Sequence, residues 1–129
     1  MKNYHAAILG FVAAIVTISL AAFIPKSVSL ELFGILLGVI AGVYLGYGIS
    51  DGRAREIIIE CGNIFLMLAL IFTGILVSSY FLALGYFAHG IWDIAHHPKL
   101  VQTRVPQSYI YLCSIYDWVI GIFIIMWWM

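Results

Sequence analysis

The chain has 129 residues, 64% of them hydrophobic and only 9% charged, with a mean hydropathy of +1.09, where soluble domains carry roughly 25% charged residues. Six basic residues balance six acidic ones, which excludes the electrostatic footprint of a nucleic-acid binder and leaves no Lys/Arg run to recruit anionic lipid. The composition predicts an all-α, polytopic transmembrane bundle of about five short-looped helices, a single domain over residues 1–129, with the lipid bilayer as its solvent.

The first predicted span covers about residues 5–24. Its apolar run, "ILGFVAAIVTISLAAF", is longer than a usual signal-peptide core and reads as a retained span. It stops at Pro25-Lys26-Ser27, where a proline and a charge mark an aqueous turn, and His5 reads as a surface residue. Span two, about 29–49, ends in "SDGRARE", the most polar stretch of the chain. It carries Gly34, Gly38, Gly42 and Gly46 on one helix face, a glycine zipper that lets another backbone approach. The small residues Ala6, Gly10, Ala14 and Thr17 of span one make a matching groove, so pairing of spans one and two is the simplest expectation, with a homo-oligomer contact as the alternative.

From Ile57 to His97 the chain is almost uninterrupted, and at ~1.5 Å per residue it would make roughly 60 Å of helix, about twice the hydrocarbon thickness. This run is therefore two spans, about 56–74 and 77–97, reversing between residues 73 and 79. The last span, about 108–128, closes on Trp127 and Trp128, rings suited to a membrane interface. With five spans and the N-terminus inside, Lys2, Arg53, Arg55, Lys99 and Arg104 fall on the cytoplasmic side and only Lys26 outside, which predicts an N-in, C-out protein of a bacterial inner (plasma) membrane. Cys61 and Cys113 both fall within spans at no metal-motif spacing and read as buried thiols.

The second half concentrates the polar residues. On span four His89, Asp93, His96 and His97 fall within an arc of about 100°, with Tyr86 and Gly85 on or beside the same face. Span three offers a stripe of Glu56, Glu60, Asn63 and Met67, and span five one of Cys113, Ser114, Asp117 and Gly121. Such intramembrane carboxylates face the bundle interior and need a partner, because each costs ~2.5 to 3.5 kcal/mol at the centre of a span. No lysine or arginine lies at the same depth, which leaves histidine, protons or a metal. Imidazole and carboxylate together suit Zn²⁺ or non-haem Fe²⁺. The i, i+4 pair His89 and Asp93 is the core of the expected metal site, with His96, His97 and Glu60 as further candidate ligands. Asp117 is expected as a further ligand or general base and Tyr86 as a nearby proton donor. Glu60 has the alternative of reaching toward Arg53 or Arg55, and a structural hydrogen-bond network is the alternative for the whole group.

The segments "HGIWDIAHH" and "CSIYDWVIG" resemble a family of short bacterial integral-membrane proteins of unknown function, carrying His-Gly-x-x-Asp-x-x-His and then Cys-x-x-x-Asp-x-x-x-Gly. The resemblance covers about residues 85–121 and lands on His89, Gly90, Trp92, Asp93, His96, Cys113, Asp117 and Gly121. A looser likeness, over the His-Gly-x-x-Asp element alone, is to membrane carotene dioxygenases, which have a histidine-ligated iron. Two functions fit these residues: a metal-dependent membrane enzyme acting on an apolar or lipid substrate, or a non-enzymatic protein. The latter is a proton or cation pathway, or an accessory subunit in a homo-oligomer or a larger membrane complex. Haem held by paired histidines ranks third, because His5 is the only histidine off span four.

Overall fold

A computed structural model describes residues 2–97 and 100–129. It contains five helices, α1 (Asn3–Ala22), α2 (Lys26–Asp51), α3 (Ala54–Leu76), α4 (Ser79–His96) and α5 (Gln107–Trp127), and no strand among the described residues. The expected all-α bundle is what the chain forms. Local chemistry explains the breaks. Pro25 precedes α2 as its N-cap residue, and Gly52 closes α2 at φ +81, a left-handed conformation in which its N–H reaches the Gly48 carbonyl. The α3–α4 reversal falls at Val77–Ser78, inside the expected window, with both N–H groups bonded to the Thr73 carbonyl. Gly74 makes that turn possible, because a Cβ there would lie 2.6 Å from the Leu82 Cβ.

Helices α1, α2, α3 and α5 are long and apolar enough to cross a membrane, the architecture of an integral membrane protein. The fifth, α4, has 18 residues, about 27 Å of rise, and differs because its polar residues dilute its apolarity. Those polar residues face inward, while Phe81, Leu84, Ile91 and Ile94 on its other side are exposed. Lys99, counted in the charge asymmetry, lies outside the described residues.

Helix α4 is central, packed against α5 and α3 and touching α2. The expected pairing of α1 with α2 is not what forms: α1 packs mainly on α5. Its buried face is Ala6, Gly10, Ala14 and Ala21, and Gly10 lies so close to the Leu112 carbonyl that a Cβ would collide with it. Thr17 and Tyr116 share a hydrogen bond of 3.0 Å across the same seam. The glycine face of α2 is not a continuous zipper. Gly34 meets Ile71 and Ile75 of α3, whereas Gly42 and Gly46 face open space. Large side chains on α3 fill the space a second small helix would have occupied.

The bundle is divided along its length. Phe33, Leu37, Ile71, Leu82, Tyr86, Ile120 and Ile124 form an apolar half near the α3–α4 turn. Toward the α2–α3 and α4–α5 connections the interior instead holds Tyr44, Glu60, His89, Asp93, His96 and Asp117.

Candidate metal centre

Close packing of α4 on α5 builds the site. Gly90 leaves no room for a Cβ against the Trp118 indole, and at Gly121 a Cβ would lie 3.0 Å from the Phe87 ring. These two glycines bring the helix faces together. One turn of α4 then sets His89 and Asp93 side by side, with Asp117 of α5 opposite. His89 Nδ1 is 2.8 Å from Asp117 Oδ2 and 3.6 Å from Asp93 Oδ1, and all three side chains have zero exposure. Each contributes a donor atom to a set lying within 4.8 Å of one another, a geometry able to hold a metal ion.

Electrostatics sharpen the point. The only cationic residues within the helices, Lys26 and Arg55, sit in first turns, far from this level. His89 Nε2, both oxygens of Asp93 and Asp117 Oδ1 are buried without a hydrogen-bond partner. A buried polar atom left unpaired costs about 1–3 kcal/mol, more if charged, and a metal ion held between these atoms would remove that cost. A divalent cation would balance two carboxylates and leave the site neutral.

A second cluster adjoins the first and is fully paired. Glu60 Oε1 accepts from His96 Nε2 at 2.7 Å and from Thr103 Oγ1 at 2.8 Å, and its Oε2 accepts from Trp92 Nε1 at 3.0 Å. His96 Nδ1 meets the Trp92 carbonyl at 2.7 Å. Beside it, a cleft of about 600 Å³ opens at this end of the bundle, with His96, Arg53, Thr103 and Arg104 in its lining.

The expected site residues therefore divide. His89, Asp93 and Asp117 come together. Glu60 and His96 form their own network instead of completing the trio, and Glu60 does not reach Arg53 or Arg55, which pair with Asp51 and Glu56. His97 is exposed at the end of α4, where its Nε2 lies 3.3 Å from the Tyr111 hydroxyl. Tyr86 points away into the apolar half and donates to the Phe33 carbonyl at 2.6 Å, so it ties α4 to α2.

Tyr44 of α2 is the residue that sequence reasoning missed. Its ring centroid lies 5.3 Å from that of His89 and 4.7 Å from that of His96. Its buried hydroxyl has no hydrogen-bond partner and lies beside Asp93. The available signal was its place on the α2 face of Leu37, Ala41 and Gly48, all of them buried.

The chain belongs to the family of unknown function DUF6010, which it matches over residues 5–128. The match covers nearly the whole bundle. No curated protein and no solved structure matches the chain.

Proposed function

We propose that His89, Asp93 and Asp117 hold a divalent transition metal, Zn²⁺ or non-haem Fe²⁺, in a membrane enzyme acting on an apolar or lipid substrate. The observation that carries this reading is the set of unpartnered buried donor atoms on three side chains within 4.8 Å. One imidazole and two carboxylates suit these ions, and three protein ligands leave a coordination position open. Bound there, either ion would supply Lewis acidity for hydrolytic chemistry, and iron would in addition supply a redox centre for an external oxidant such as dioxygen.

The chain's own residues supply the rest. Asp117 holds the His89 ring in orientation through the 2.8 Å contact. Tyr44, rather than Tyr86, is the hydroxyl placed to donate a proton beside Asp93. A shallow groove of about 220 Å³ between α4 and α5, lined by Ile94, Ser114, Ile115 and Trp118, offers an apolar molecule an approach from the lipid.

Elemental analysis of purified protein tests the reading. A near-stoichiometric metal is expected, lost in His89→Ala and in Asp117→Ala; well-folded wild-type protein without metal would sink it.

A proton or cation pathway is the second reading. It is favoured by the line of titratable groups from the cleft inward: the Glu60–His96 pair, the Tyr44 ring against both imidazoles, then Asp93. Liposome flux that vanishes in Asp93→Asn would select it. An accessory role would use the open α2 face at Gly42 and Gly46, and copurification of a second membrane protein that is lost in Gly46→Leu would select that.

A further inference from the structure

The cleft beside His96 has a use of its own. Two helices begin at its wall: Arg53 is the N-cap residue of α3 and Pro106 that of α5, and both line the cleft. Neither start has a side-chain cap; the first turn of α3 carries Glu56, whereas that of α5 carries no acidic residue. Helix starts present free N–H groups and the positive end of the helix dipole, the usual setting for a bound oxyanion.

The side chains add to that field. Arg53 and Arg104 both line the cleft, and among the described residues Asp51 is the carboxylate that engages them. Its Oδ1 accepts from Arg53 Nε and its Oδ2 from Arg53 Nη2 at 2.9 Å and the Arg104 backbone N–H at 3.0 Å, while the Arg104 guanidinium stands 3.8 Å from Oδ2 with its side chain 83% exposed. His96 in the lining is tied to Glu60 through a contact of 2.7 Å. Among the described residues, Arg53, Arg104 and Asp51 therefore leave one positive charge uncompensated, held on Arg104, beside the acid-free start of α5.

We infer that this cleft binds a phosphate-type oxyanion of single negative charge, and that its source is the phosphodiester headgroup of an acidic lipid. The headgroup source follows from position. The cleft lies at one end of a bundle whose flanks are apolar and exposed, with Ile49, Ile94 and Leu100 near this end, the level at which lipid headgroups meet the protein. The inference is independent of the metal.

The test uses the full chain in detergent micelles, with lipid adducts counted by native mass spectrometry. Phosphatidylglycerol is expected to bind more tightly than phosphatidylcholine. Arg104→Gln should weaken the phosphatidylglycerol adduct about fivefold, the factor that one arginine near the headgroup layer contributes. Lys26→Gln, at the opposite end of the bundle, should leave it unchanged. Because the Arg104 side chain is exposed and accepts no structural load, helix content by circular dichroism should match wild type. Inorganic phosphate is titrated against the lipid adduct: failure to displace it supports the lipid source, and displacement at equal concentration supports the oxyanion site with a soluble anion as its ligand. Equal binding of the two lipids, or the same affinity in wild type and Arg104→Gln, overturns the proposal. Metal content should not change in Arg104→Gln, so failure here and failure of the metal site are separately visible.

Discussion

Two buried carboxylate sites lie within a turn or two of each other, and they differ in how they are satisfied. Glu60 accepts three hydrogen bonds, whereas Asp93 accepts none. The contrast separates a paired network from a group whose donor atoms are free to hold a metal ion. At His96 the proton can be placed by chemistry alone, since a carbonyl only accepts and Nδ1 facing the Trp92 carbonyl must carry a hydrogen. Nε2 then shares one further proton with Glu60, and the pair is neutral in either arrangement. Glu60→Ala should lower stability by about 3–5 kcal/mol, because it strands the Trp92, Thr103 and His96 donors in a buried place. Glu60→Gln should be far milder, since its amide can donate to a His96 with a free Nε2 and its oxygen can still accept from Trp92. Thermal unfolding of both variants checks this; equal melting temperatures would show that the network does not matter to stability.

Among the helices, glycine matters where backbone or rings come close. Gly90 lies under the Trp118 indole, so Gly90→Ala should push α4 from α5, cost about 1–3 kcal/mol by overpacking, and reduce metal occupancy through the displaced His89. Adding Trp118→Leu should restore part of both, a coupling that a double-mutant cycle would read. At Gly42 and Gly46 no heavy atom would meet a Cβ. There alanine should be neutral or gain up to about 1 kcal/mol of helix propensity. A loss of stability at Gly46→Ala would instead reveal that this face is covered in the membrane.

On the scale of the whole bundle, one end gathers Lys2, Arg53, Arg55 and Arg104 and the other carries Lys26. Both ends are tied by specific contacts: Arg53 Nη2 donates to the Gln102 carbonyl at 2.6 Å, and Lys26 Nζ to that of Trp127 at 2.7 Å. By the positive-inside rule, we propose that the cleft end faces the cytoplasm. A membrane-impermeant thiol reagent should therefore label Ser27→Cys in intact cells and spare Ser50→Cys. The reverse pattern would invert the orientation and place the cleft outside.

Much of this was legible in composition and period. The five helices and the reversal at Val77–Ser78 follow from hydropathy and chain length, because lipid leaves a polypeptide few ways to satisfy its backbone. The inward stripes Glu56–Glu60–Asn63–Met67 and His89–Asp93–His96 were visible too, since ionisable groups must leave the lipid face. Which stripe meets which was not. Periodicity gives the face of one helix but no partner, so α1 was matched with α2 by small residues when its groove receives the Leu112 backbone of α5. Tyr44 has no polar neighbour in sequence to mark it, and Arg53 and Arg104 lie 51 residues apart. Only the packing of α4 between its neighbours set Asp117 against His89, paired Glu60 with His96, and drew two arginines and two helix starts around one cleft. The physical reason is that the membrane acts on each helix separately, whereas a site depends on distances between helices, which their packed side chains decide.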